Sequence, residues 1–425
     1  MVKIKLIVAS AAVLLILVFL VATIVFKFGI LEEEQSGLVT LVYWDFWDEN
    51  SIKPILTEFE KTHPGTKINY FFQSELNYRL RVTTQIKEGL GPDVFPIHNS
   101  WLTMFASILA PAPADIFTIG EYKNTFYPVA MDSFVFGNQI YALPLGIDGL
   151  ALYVNEDILA AGGVTIPNSW SEFIPAAVKL TVKDSTGQIK TAGASIGTTE
   201  NIDYWSDLLG LMLLQQQTID LKSPANPSAA EVATFYTGFI IDPSKKVWED
   251  NLPTSSDMFT TGRLAFYFAP FEKAAEIKAA NPNLKFKIVP VPQLPGRNIG
   301  WASFWGEAVS GKSVHQKQAW ELIKFLTSKE ISKLFASPNA RVDLATEQIN
   351  DPLMGAFVSQ GPYYKFWYMA EGGTDGGGIN DGITKAWKNG INQILAGQSV
   401  DGSLSAVATD IKKVLDQYSP KPTPE

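Results

Sequence analysis

The apolar run 38–44, LVTLVYW, predicts a strand. A polar and aromatic loop, 45–50, follows it. Ser51 stands as an N-cap before Ile52, Ile55, Leu56 and Phe59, whose spacing is the i, i+3, i+4, i+7 stripe of an amphipathic helix. His63-Pro64-Gly65 ends that helix. Residues 67–72 predict the next strand, 78–88 the next helix and 93–97 a third strand, with Gly89-Leu90-Gly91-Pro92 breaking the helix. Strand, helix, strand, helix, strand within about 60 residues predicts an α/β chain with a parallel sheet and helices on its faces. The loops 45–50 and 98–101 then lie at strand C-terminal ends, where open α/β sheets bind ligands.

The stretch 141–155, YALPLGIDGLALYVN, changes the picture. Tyr141, Leu143, Leu145 and Ile147 alternate as a half-buried strand does, and 150–154 resumes as a second apolar run. Pro144, Gly146 and Gly149 lie between them, which argues against one uninterrupted strand. The stretch reads as a strand leaving one lobe and entering another, with 144–149 as the bend. Beyond it, 169–181, 204–215, 231–239 and 258–261 predict helices, and 262–268 contains the strand LAFYF. Residues 285–291 predict a strand returning to the first sheet. Helices are expected over 313–328, 379–396 and 403–418, and the proline-rich end 420–424 as a disordered tail. No internal repeat is visible.

A chain of 425 residues exceeds one typical core, so two lobes are expected. Its net charge is −9 with no basic patch, which argues against nucleic acid as a partner. The absence of cysteine removes disulfides, thiolate metal sites, cysteine nucleophiles and a lipid-bearing cysteine together. Residues 6–26 carry no charge and as a helix would span about 31 Å, close to the hydrocarbon thickness of a bilayer. Lys3 and Lys5 before this run place the N-terminus in the cytoplasm and the remainder outside. The run exceeds a signal-peptide core and offers no small-x-small cleavage site, so an uncleaved transmembrane anchor is expected, with a cleaved signal as the alternative.

Several motifs resolve to ordinary structure. Residues 306–313, GEAVSGKS, fit the pattern of a nucleotide-binding P-loop. Glu307 would set a carboxylate beside phosphates, and Ala308-Val309 continue a strand, so the motif is rejected. Ser313 and Gln316 instead have the spacing of a capping box. His63, His98 and His315 are far apart and predict no zinc site. Residues 375–382, DGGGINDG, lack the alternating oxygen ligands of a calcium loop. No metal or cofactor is expected.

Aromatic loops carry the chemistry: 44–47, Trp101, Tyr204-Trp205, 268–271, 301–305 and 363–368. A sugar ring offers an apolar C–H face for flat side chains and a belt of hydroxyls for Asp, Glu and Asn. GWASFWGE, 300–307, supplies both, and Trp301 and Trp305, four apart, would share one face of a regular strand. Asp45, Asp48 and Glu49 among aromatic residues could also form the carboxylate pair of an extracellular glycosidase.

Six blocks in order resemble the extracellular sugar-binding proteins of ABC importers, the maltodextrin-binding-like group. They are LVYWDFWDENSIKPILTEFEKTHPGTKI, IKEGLGPDVF, YALPLGIDGLALYVNEDIL, PNSWSEF, MFTTGRLAFYF and GEAVSGKSVHQKQAWELIKFLTSKE. The resemblance implies a two-lobed periplasmic-binding-protein fold of type II, after the anchor at 1–36. Lobe 1 is expected over 37–145 and 270–330, lobe 2 over 146–269 and 331–418, with crossings at 141–155, 269–271 and 328–337. It implies a monomeric, non-enzymatic protein that hands a carbohydrate to a permease. It places Trp44, Asp45, Trp47, Asn99, Trp101, Asp148, Tyr204, Trp205, Trp301 and Trp305 at the cleft, and Trp367 joins them from an aromatic segment that matches no family block. There is no lipobox cysteine, and the membrane helix would take its place. A surface polysaccharide-binding module without transport is the remaining alternative.

Overall fold

The computed structural model describes residues 38–370 and 377–418. The expected anchor at 6–26, most of the Gly-rich loop 372–378 and the proline-rich tail lie outside the described residues. Among the described residues no helix is long and apolar enough to cross a membrane.

The chain opens with the expected βαβαβ series: β1 (Val39–Asp45), α1 (Glu49–Thr62), β2 (Thr66–Phe72), α2 (Tyr78–Glu88) and β3 (Val94–His98). β1 runs parallel to both β2 and β3. The stripe Ile52, Ile55, Leu56 and Phe59 is the buried face of α1. Its N-cap is Asp48, which accepts from the Ser51 amide, so Ser51 is already inside the helix. Gly89, at φ 75°, closes α2 in the left-handed conformation that glycine adopts without strain.

A second, mixed sheet begins with β4 (Ala151–Asn155) and takes in β5 (Ile189–Ala194), β6 (Leu264–Ala269) and β7 (Phe286–Val289). α3 (Trp205–Gln215) lies between β5 and β6 in the chain. The expectation for 285–291 fails here. β7 pairs antiparallel with β4 and stays in the second sheet. Short apolar strands carry no signal of which sheet edge they join.

The chain leaves the second core through β8 (Gly300–Trp301), which pairs with Tyr364–Lys365, and rejoins the first sheet as β9 (Trp305–Ser310). β9 lies antiparallel to β3, pairing Trp305 with His98 and Glu307 with Pro96. Residues 307–310 are therefore strand, and Lys312 is exposed beyond it, which is incompatible with a phosphate-cradling loop. α4 (Gln316–Leu326) follows, then α5 (Gly378–Leu395) and α6 (Val400–Tyr418). The expected capping box is absent. Ser313 donates to Asp93 at 2.5 Å and accepts from the His315 amide, outside α4.

Two buried clusters correspond to the two lobes. One gathers residues from Leu41 to Ile147, then Ala302 to Ala340 and Tyr364. The other gathers Leu150 to Trp301, then Ala356 to Ile411. The chain first passes from one core to the other at 147–150. The other expected boundaries move: residues 270–301 belong with the second core and 331–340 with the first. Segments 148–150 and 301–303 cross side by side. Leu150 donates to the Trp301 carbonyl at 3.0 Å and Ser303 to the Asp148 carbonyl at 3.0 Å. A Cβ on Gly149 would lie 1.8 Å from the Trp301 oxygen, so this approach requires glycine. A third segment joins them where Ile147 donates to the Pro338 carbonyl at 2.8 Å.

Candidate functional site

A cavity of about 600 Å³ opens between the two cores, lined from all three crossing segments and from the ends of β1, β3 and β9. The position follows the rule for open α/β sheets.

Strand alternation sorts the first loop. Leu41, Tyr43 and Asp45 point inward, so Trp44 takes the other face of β1, half-buried against the first core and away from the cavity. Asp45 lines the cavity although it is only 2% exposed. It accepts from the Tyr43 hydroxyl at 2.5 Å and from the Phe46 amide at 2.6 Å. Trp47 also lines the cavity, its ring 4.9 Å from Phe335. Asp48 and Glu49 do not. Asp48 caps α1 and Glu49 occupies its first turn, so the carboxylate set expected of a glycosidase is not assembled.

Trp305 lines the cavity half-buried, and four rings hold it edge-on: Phe46 at 4.8 Å, Trp101 at 5.1 Å, His98 at 5.2 Å and Tyr78 at 6.1 Å. Trp101 is thus a buried support, stacked on Phe105 at 5.3 Å, rather than a cavity residue. Asn99 is buried behind the site. Its backbone and side chain both bond the Phe304 backbone. Asp148 reaches the cavity and ties the lobes, accepting from the Phe271 amide at 3.0 and 3.1 Å. Tyr204 lines the second wall.

Trp301, Trp205 and Trp367 depart from expectation. Trp301 is 0% exposed. Its ring lies over Gly210, where a Cβ would come within 2.4 Å, and its Nε1 donates to Asp207 Oδ1 at 2.7 Å. β8 and β9 are separate strands with 302–304 between them, so four-residue spacing does not carry Trp301 to the face of Trp305. Trp205 begins α3 and turns into the second core. Trp367 packs on that core beside Tyr368, at 4.8 Å, without lining the cavity.

Phe46, Phe271 and Glu307 lie in segments the sequence marked without being named at the cleft, while Glu75, Asp203, Asp207 and Glu272 were missed as cavity residues. Glu307 was within reach, since it lies two residues from Trp305 on one strand face. Nothing local marks Glu272, which arrives from the far lobe.

Burial sets the electrostatics. It pushes Asp45 and Asp207 up to about 7, against the hydrogen bonds that would lower them. Burial, with Asp45 beside it, raises Glu307 well above the usual carboxylate range. Glu272 rises to about 7 through burial and the charge of Glu75. Burial lowers His98 to about 3, so it is neutral, bridging Ser100 and Ser303. Between the unfolded and folded values the folded state holds more protons than the unfolded chain, so stability falls as pH rises through about 7. The melting temperature of the ligand-free protein should therefore be several degrees lower at about pH 8 than at about pH 5.5. A melting temperature that climbs over this interval in differential scanning calorimetry would contradict these protonation states.

The model describing bacterial extracellular solute-binding proteins matches residues 48–333. A Brucella abortus protein described as a binding protein is 23% identical over 320 residues, 72% of this chain and 77% of that protein. The maltotriose-binding protein of Pyrococcus abyssi is 24% identical over 132 residues, 30% of this chain and 29% of that one. Among solved structures, the sugar-binding protein MalE from Xanthomonas citri has a TM-score of 0.74 at 18% identity, covering 89% of this chain and 98% of that chain. A cyclo/maltodextrin-binding protein complexed with maltotetraose has a TM-score of 0.71 at 20% identity, covering 88% and 96%. With two α/β lobes around an interlobe cavity and a family match over most of its length, this chain belongs to the bacterial extracellular solute-binding protein family.

Proposed function

We propose that this protein captures a sugar or short oligosaccharide in the interlobe cavity and presents it to the permease of an ABC importer. The observation that carries the reading is the wall composition. Trp47, Trp305, Phe46 and Phe271 offer apolar faces, while Asp45, Asp148 and Asp207 stand among them to meet hydroxyls. The Xanthomonas and Pyrococcus proteins, named for sugar and maltotriose binding, support the same ligand class. Closure would be a hinge motion at the crossing segments, driven by a ligand that contacts both lobes. The protein does no chemistry in this reading. Asp45 and Glu307, the two neighbouring carboxyls, belong to one lobe and stand around one hydroxyl, Tyr43, rather than flanking a bond. Titration calorimetry with a panel of neutral and substituted oligosaccharides, with the recovered sugar checked for new reducing ends, tests it.

The same reading puts the protein outside the cytoplasmic membrane, held by residues 6–26 and acting as a monomer. The full-length protein should stay with the membrane fraction at high salt and need detergent for release. A mature N-terminus downstream of Lys27 would overturn the anchor and leave the sugar site untouched.

A further inference from the structure

Among the described residues, every charged side chain lining the cavity is acidic: Asp45, Glu75, Asp148, Asp203, Asp207, Glu272 and Glu307 face it, with no Lys or Arg among them. His98, the remaining ionisable base, is neutral. Most of these carboxyls have donors of their own. Asp203 accepts from Ser255 and Ser256, Asp207 from Trp301, and Asp148 from Phe271. Glu307 differs. It is 3% exposed and lines the cavity; the Tyr43 hydroxyl stands against its carboxyl, but among the described residues its Oε2 has no hydrogen-bond partner. Asp45 stands beside it, and Tyr43, whose hydroxyl bonds Asp45, is their common neighbour. A buried carboxyl oxygen without a donor is costly unless something fills that role.

We infer that the natural ligand is an amino sugar with its nitrogen free and protonated, the ammonium seated at the Asp45–Glu307 end of the cavity. The inference rests on the sugar-binding reading above and narrows its substrate class. Burial holds Glu307 toward its protonated form in the ligand-free protein; a neutral sugar would leave it so, whereas an ammonium beside Glu307 and Asp45 would favour the ionised carboxylates and gain a charge-assisted bond. An anion meets seven acidic groups and no base. A bare metal ion lacks a cage, since among the described residues no three His, Cys, Asp or Glu side chains are grouped to hold one. An ammonium brings three donors and a positive charge to Glu307 Oε2, the one buried carboxyl oxygen among the described residues that has no partner. The rings of Trp47 and Trp305 favour an amine on a flat-faced sugar over one on a linear chain.

The test is an isosteric series on the full chain in detergent: glucose, glucosamine and N-acetylglucosamine, each as monosaccharide and as β-1,4 disaccharide, with spermidine and maltotriose as controls. Calorimetry at neutral pH should show the free-amine form binding at least about tenfold tighter than its neutral and N-acetylated counterparts. Glu307→Gln should shrink that ratio at least about tenfold, with its fold checked by circular dichroism. Asp45→Asn serves as a second variant, and the unmutated series decides the matter should neither fold. Equal binding of neutral and amine forms, or binding of maltotriose alone, overturns the amino-sugar inference and leaves sugar capture standing. Spermidine binding with no sugar bound overturns both.

Discussion

Trp301→Ala should lower the stability of the ligand-free protein by about 3–5 kcal/mol, the range for truncating a large buried aromatic side chain. The effect has two sources. The ring is 0% exposed and fills the space left by Gly210 on α3, so its removal opens a cavity that helix backbone borders. Its Nε1 is also a donor to Asp207, at 2.7 Å. Loss of that donor leaves a buried carboxyl with the weaker Ser206 contact at 3.3 Å and its own backbone amide. Trp301→Phe separates the two: it keeps most of the volume and loses the donor, so it should fall between Trp301→Ala and the unmutated protein. Chemical denaturation of the three proteins reads the order directly. If Trp301→Ala melts with the unmutated protein yet loses ligand affinity, Trp301 is a cleft residue after all.

Trp305→Ala should do the reverse. The ring lines the cavity half-buried, so part of its surface is wet without ligand. Affinity for the best sugar should fall at least about tenfold, or about 1.4 kcal/mol. The melting temperature should fall by only a few degrees, as a small stability change in a chain of this size gives. Phe46, Trp101 and His98 hold the ring in place before ligand arrives, so its stacking surface is preorganised and truncation removes a formed site. Large melting loss with normal binding by the folded fraction would put Trp305 in the core.

The contrast between these two tryptophans shows what the chain made legible. The first βαβαβ series could be read almost residue by residue, because periodicity and breakers are local: Ile52, Ile55, Leu56 and Phe59 form the buried stripe of α1, and Gly89 ends α2. The bend at 144–149 could also be read, since Pro and Gly mark it, and Gly149 turns out to be required by the Trp301 carbonyl. Which sheet a strand joins was not legible. β7 looks like any short apolar strand, and only its partner β4 assigns it. The same limit governs the site. Asp45, Trp47, Asp148, Tyr204 and Trp305 were found because they sit in loops or at strand ends. Trp301 has the same local signature, and three non-strand residues after it decide its direction. Glu272 meets Asp148 only because two crossing segments bring the lobes together, and no window of sequence contains that contact.

The central claim is that the interlobe cavity is a sugar site closed by a hinge. Intrinsic tryptophan fluorescence during titration with the oligosaccharide panel tests it most directly, because Trp47 and Trp305 both line the cavity and closure would dry them. The account predicts a saturable spectral shift with at least one sugar, reduced in Trp305→Ala, with the sugar recovered intact. A protein that stays folded and shows neither a shift nor binding heat with any sugar in the panel would contradict it.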